Sequence, residues 1–195
     1  MEKFLVLASA SPRRSEILLS AGYEFNIITS AATEITEGAG AIIAAENAKA
    51  KALAVYSQQP ENAVVLGADT VVCLNDKVLG KPKSREDAFN MLVSLSNSNH
   101  SVITGYAVAS KKGVKTGYCE TFVKFRPLTD EEINDYVATG ECDDKAGAYG
   151  IQERASLFVE SINGDYFNIM GLPVAEIYPI LKSAGIYPKW QKVLV

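Results

Sequence analysis

Apolar runs of two kinds alternate along the chain. Phe4-Leu5-Val6-Leu7-Ala8 is continuous, the pattern of a strand buried on both faces. It breaks into Ser9-Ala10-Ser11-Pro12, where Ser11 suits a helix N-cap and Pro12 the first helical position. Ile17, Leu18 and Ala21 then form a helical stripe that Gly22 stops. Phe25–Ile28 reads as a second strand, followed by a polar, glycine-containing stretch from Ser30 to Gly40. Ala41–Tyr56 predicts a long Ala-rich helix, with Ala45, Ala48, Ala52 and Val55 at core spacing. Val64-Val65-Leu66 is another buried strand, leading through Gly67-Ala68-Asp69 into Thr70–Leu74. Asn75-Asp76 reads as a two-residue hairpin turn.

Farther on, Ser84–Ser96 predicts a helix capped by Ser84, with Glu86 and Asp87 in its first turn. Ser101–Ser110 and Thr116–Phe125 pair antiparallel around Lys111-Lys112-Gly113, and Thr129-Asp130-Glu131-Glu132 fits a capping box. Leu157–Ile162 reads as a strand. Pro173–Ala184 reads as a last helix, with Pro179 predicting a kink. Interleaved strands and helices with one antiparallel meander imply an α/β fold, a mixed sheet with flanking helices. No repeat or linker divides residues 1–195, which read as a single domain.

Composition narrows the function. With 48% hydrophobic and 22% charged residues the chain is ordinary globular material, which excludes disorder, collagen and coiled coil. A net charge of −4 argues against coating a nucleic acid polymer or an anionic membrane, so any polyanion should be small and held by a few local cations. Cys73, Cys119 and Cys142 have no metal-ligand spacing and His100 is the only histidine, which argues against a zinc site and a Ser-His-Asp or Cys-His mechanism. These four residues are expected to be structural. No apolar run reaches the ~18 residues of a membrane helix, and the chain reads as cytoplasmic with reduced thiols.

Five places carry candidate chemistry. At Ser9–Arg14 a buried strand feeds a helix N-terminus, with two hydroxyls and two guanidiniums beside it, which suits phosphate oxygens. The same residues also read as an ordinary capped helix with two solvated arginines. Asp69 follows a buried strand, at the carboxyl end where α/β sheets present functional groups, or else caps a turn. If Asn75-Asp76 is the turn, Lys81 returns near Asp69, and a shared site requires the ladder to fray near Gly80. Lys49 and Lys51 point different ways on their helix, so at most one serves a site. Glu34 stands in a polar loop of otherwise small side chains, as a metal ligand or as nothing. Asp144–Gln152 holds two glycines that permit close ligand approach, or a tight loop.

Together these pieces resemble the Maf family. Leu7–Arg14, Gly67-Ala68-Asp69-Thr70, Gly80-Lys81-Pro82, His100–Gly105, Asp144–Gln152 and Gly164-Asp165-Tyr166 follow its order and approximate spacing. The resemblance runs from residue 5 to about residue 182 and implies nucleoside triphosphate pyrophosphatase activity, in a family also described as septum-formation inhibitors. It implies two lobes around a central cleft, similar to the inosine triphosphate pyrophosphatases. Carried over, Asp69 matches the catalytic acidic residue and, with Glu34, a metal position for Mg²⁺, Mn²⁺ or Co²⁺. Ser9, Arg13, Arg14, Lys49 and Lys81 match phosphate-handling positions, Lys49 being chosen because the family's lysine precedes Ala-x-Ala. Arg13, Thr70 and Gln152 match the subgroup acting on dTTP and UTP rather than the one acting on 7-methyl-GTP. One departure follows Gln152, where Glu153-Arg154-Ala155 stands in place of the Gly-x-Gly of many relatives. A homodimer is what the resemblance suggests.

The expected reaction is water attack at the α-phosphorus, with Asp69 as base, giving a nucleoside monophosphate and pyrophosphate. The competing readings are a purine-preferring pyrophosphatase and a nucleotide-binding regulator of septum formation.

Overall fold

The computed structural model describes residues 2–194; Met1 and Val195, the ends of the 1–195 span, lie outside the described residues. In chain order the elements are β1 (Phe4–Leu7), α1 (Pro12–Ser20), β2 (Phe25–Ile27), α2 (Gly40–Tyr56), β3 (Ala63–Leu74) and β4 (Lys77–Leu79). They continue with α3 (Arg85–Leu95), β5 (Asn99–Ser110), β6 (Gly113–Phe125), α4 (Asp130–Ala138), β7 (Val159–Asn163), α5 (Tyr166–Met170) and α6 (Val174–Ala184). The strands form one mixed sheet in the order β2-β1-β3-β5-β6-β7, with β4 on β3. The α/β expectation holds.

The alternation of β3 decides which helices cover which face. Val64, Leu66, Ala68 and Val72 face the large core, with Leu18 of α1, Leu92 of α3, Ile133 of α4 and Leu181 of α6. Val65, Val71 and Cys73 face the other way, onto α2. That helix lies close because its contact residues are small. A Cβ on Gly67 would stand 2.4 Å from the Ala48 carbonyl oxygen, and one on Gly105 would stand 2.1 Å from that of Ala44. Gly67 is therefore a contact point inside a strand and not a break. This corrects the sequence expectation: β3 runs unbroken through Gly67-Ala68-Asp69, and Asp69 sits mid-strand.

The β3–β4 hairpin turns at Asn75-Asp76 as expected, with the register Val72↔Leu79, Cys73↔Val78 and Leu74↔Lys77 and the turn residues at φ 48° and 63°. Ser84 caps α3 by accepting from the Asp87 N–H, and Thr129 and Glu132 form the capping box of α4. Two expectations change. Leu157 and Phe158 close a 3-10 turn, so β7 begins at Val159. α5 was not expected, although Asp165 caps it and Gly171, at φ 109°, ends it. Pro179 lies inside α6. Among the described residues no helix is long and apolar enough to cross a membrane.

The sheet is interrupted beside its central strand. The β1 ladder on β3 ends at Leu7↔Leu66, and the β4 ladder begins at Val72↔Leu79. Between them, residues 67–71 lack a strand neighbour on that edge, while β5 pairs the opposite edge from Val65 to Cys73. The central cleft is this gap.

Candidate active site

A cavity of about 850 Å³ opens at the gap. The Ser9–Arg14 turn, Glu34, residues Asn47 and Lys51 of α2, residues 69–72 of β3, Lys81 and the 144–152 segment all line it. Six sequence segments that are far apart in the chain thus meet at one place. Ser9, Arg13, Arg14, Glu34, Asp69, Thr70, Lys81 and Gln152 are among the residues brought together.

Asp69 points to the α2 face. The Lys51 Nζ lies 2.7 Å from its Oδ1 and 2.6 Å from Glu34 Oε1, so one ammonium bridges both carboxylates. This hydrogen bond and charge hold the Glu34 carboxyl below its ordinary range, against an opposing effect of burial, with Lys81 and Arg14 adding smaller help. The Asn47 Nδ2 donates to Asp69 Oδ2 at 3.0 Å. Lys49, the lysine expected in the site, instead pairs with Glu46 at 3.3 Å on a side 42% exposed and does not line the cavity. The reason is helical phase. Lys51 lies four residues after Asn47 and three after Ala48, on the buried face, while Lys49 is turned away.

Thr70 points to the opposite face, where it meets Arg14. The Arg14 guanidinium donates to Ser9 Oγ at 2.8 Å, to Thr70 Oγ1 at 3.1 Å and to the Gly171 carbonyl at 2.9 Å. Burial lowers its pKa to about 10, opposed by the charge of Asp69 and reinforced by that of Arg13. Thr70 Oγ1 also bonds Thr104 Oγ1 at 2.9 Å, and Thr104 is held by buried Asn168 through its N–H and its hydroxyl. Ser11 is at the N-cap, but its side chain makes no cap bond, and its own N–H donates to Ser9 Oγ at 3.2 Å. The first-turn N–H groups of α1 therefore keep no side-chain cap. The Arg13 and Lys81 side chains make no hydrogen bond or ion pair with another described residue.

The 144–152 segment forms the remaining wall. The Gly147 N–H donates to the Gly80 carbonyl at 3.0 Å, which ties this segment to the chain just before Lys81. β4 has ended at Leu79, so Lys81 is released from the ladder as a shared site required. Gln152 is exposed at the cavity. The departure from the family pattern has a structural role: Glu153 pairs with buried Lys145 at 3.3 Å, and Arg154 pairs with Glu141. Both pairs hold the wall beside Gln152.

Among the described residues no three His, Cys, Asp or Glu side chains gather as a metal cage. Glu34, Asp69 and Asp144 all line the cavity, and of these Asp144 pairs with Lys145 while Glu34 and Asp69 converge on one ammonium. Such a pair suits a divalent cation that completes its shell with water and phosphate oxygens, and the Lys51 ammonium between them marks a place where positive charge is favoured. His100 is in the core, its Nε2 2.8 Å from the Tyr149 hydroxyl and its pKa lowered to about 4 by burial, and the three cysteines are unpaired.

Asparagine 47 is the residue that sequence reasoning missed. Its spacing from Lys51 was a signal, but a polar residue in an Ala-rich helix has no evident role until Asp69 is placed opposite.

These features make a cleft in which carboxylates and cations from distant segments meet. The chain belongs to the Maf family: the family model described as "Maf: Maf-like protein" matches residues 4–184. A protein of Thermococcus kodakarensis named dTTP/UTP pyrophosphatase is 49% identical over 182 residues, covering 93% of this chain and 96% of its own. One of Clostridium novyi with the same name is 46% identical over 187 residues, covering 93% and 98%. Among solved structures, the Staphylococcus aureus Ham1 protein matches 78% of this chain and 90% of its own at 15% identity and a TM-score of 0.48.

Proposed function

We propose that this chain hydrolyses dTTP and UTP to the nucleoside monophosphate and pyrophosphate, as a single Maf-like domain. The observation that carries the reading is Asp69, a carboxylate at a gap in the sheet with Arg13 and Lys81 unengaged on the same cavity. A triphosphate brings about four negative charges, and those two cations with the open N-terminus of α1 are placed to receive them. Asp69 orients and deprotonates the attacking water, with its Oδ2 fixed by Asn47 and its Oδ1 by Lys51. Glu34 and Asp69 would hold a divalent metal, which when bound supplies neutralising charge for the leaving pyrophosphate. Arg14, spent on protein oxygens, orders Ser9 and Thr70 rather than gripping phosphate itself.

Base choice follows from Gln152. A neutral amide both donates and accepts, which matches the acceptor–donor–acceptor edge of uracil or thymine, whereas a carboxylate only accepts. The test is pyrophosphate release across a panel of nucleoside triphosphates with Mg²⁺, Mn²⁺ and Co²⁺, repeated with Gln152→Glu. Wild type should favour dTTP and UTP. Gln152→Glu should lower the dTTP-over-GTP ratio of kcat/KM by at least ~10-fold, about 1.4 kcal/mol. An unchanged ratio overturns the role of Gln152, and no pyrophosphate from any nucleotide overturns the reaction.

A further inference from the structure

The loop between β2 and α2 carries Glu34 but no regular structure of its own across residues 28–39. What fixes it is a side chain. Asn47 is 3% exposed, and both donors of its amide and its oxygen are engaged. Its Oδ1 accepts from the Ile35 N–H at 2.8 Å, and its Nδ2 donates to the Ile35 carbonyl at 3.0 Å and to Asp69 Oδ2 at 3.0 Å. The amide orientation is dictated by these partners: turned over, its NH₂ would face the Ile35 N–H and its oxygen would face a carboxylate.

We infer that Asn47 is a positioning residue that sets two carboxylates at once, Asp69 directly and Glu34 through its neighbour Ile35. The argument rests on three facts. The two bonds to Ile35 reproduce one rung of a backbone ladder, so they fix the loop in position and in rotation. The third bond commits Asp69 Oδ2 and leaves Oδ1 as the oxygen turned to Lys51. Asn47 and Lys51 are four residues apart on one helix, so one rigid element presents both partners of Asp69. A buried polar group with every bond satisfied holds a single geometry, and losing one bond leaves its partners unpaired.

This inference rests on the hydrolytic reading of Asp69, and its test separates the two. Asn47→Ala removes all three bonds. Asn47→Asp keeps the shape and the bond from the Ile35 N–H, but sets one acceptor against the Ile35 carbonyl and a like charge against Asp69. If Asn47 positions the carboxylates, Asn47→Asp is at least as damaging as Asn47→Ala. Both should lose about 10- to 100-fold in kcat for dTTP, the span of one charge-assisted hydrogen bond, with KM changed less than about threefold. If Asn47 only supports the fold, Asn47→Asp stays near wild type while Asn47→Ala loses stability, and the inference is overturned. Hydrogen exchange of the Ile35 amide gives a readout without turnover. It should be protected in wild type and exchange at least about tenfold faster in Asn47→Ala; equal exchange in the two overturns the loop clamp even in a protein that hydrolyses nothing.

Discussion

Asp69 and Thr70 are neighbours in one strand, yet they belong to two different kinds of site. On the Asp69 side the neutral Asn47 amide fixes one oxygen, while the other enters a chain of ion pairs through Lys51 to Glu34. On the Thr70 side Arg14 is bound to Ser9, Thr70 and the Gly171 carbonyl, which are neutral protein oxygens. The two sides have a positive group apiece and differ in what it is doing. Exchangeable ion pairs suit chemistry, while a guanidinium whose bonds go to neutral groups in the interior is a strut. Charge near a cavity is thus a poor guide to function until its hydrogen bonds are counted.

The sharpest way to break this contrast is Asp69→Asn, which keeps the shape and removes the charge. It should cost about 10²–10⁴-fold in kcat, the range for a positioned acid–base group, with cooperative unfolding in urea retained. If more than about a tenth of kcat survives, Asp69 is not the base. Arg14→Ala should do the opposite in kind. It takes a donor from three oxygens, of which Ser9 Oγ and Thr70 Oγ1 keep a second partner, and should lose on the order of 1–3 kcal/mol of stability in urea unfolding. Arg14→Lys should recover little, since a point ammonium lacks the guanidinium fork. Lost activity at full stability would make Arg14 a phosphate ligand and abolish the distinction.

Next in size come Arg13→Ala and Lys81→Ala. Each should lower kcat/KM for dTTP by about 10–150-fold, the worth of a charged contact of about 1.5–3 kcal/mol, without a shift in thermal unfolding. The smallest effect is expected at Lys49. Lys49→Ala should stay within about twofold of wild type, because its partner Glu46 is a solvent-facing residue on the same helix. Lys51→Ala should lose at least about tenfold under the same steady-state assay. The reverse ranking would contradict the side assigned to each lysine.

Much of this was legible in the sequence, and the misses have physical causes. The opening strand, the Pro12 helix start and the Asn75-Asp76 hairpin were read from local chemistry alone, and local chemistry is what fixes them. The gathering of Glu34, Asp69, Arg13 and Lys81 followed from family motifs. The continuity of β3 was hidden because a glycine signals a turn and a close helix contact alike, and only the position of α2 distinguishes them. Lys49 was preferred over Lys51 because it matched the family's lysine before Ala-x-Ala, a match that helical phase overrules. Placing Ala44 rather than Ala45 on the core face would have favoured Lys51, seven residues on. Asn47 needed the tertiary pairing itself.

The gap in the sheet also has a mechanical meaning. On the cleft side, β1 and β4 are joined along the sheet only through residues 67–71 of β3, which behave as a short leaf spring between two clamps. β5 lies along the back of that spring from Val65 to Cys73 and resists its bending, while the cleft side has no ladder to break when it twists. Any twist of residues 67–71 would strain the β5 ladder alone, since the cleft side carries none there. Asp69 sits at the middle of the span, equally far from either clamp.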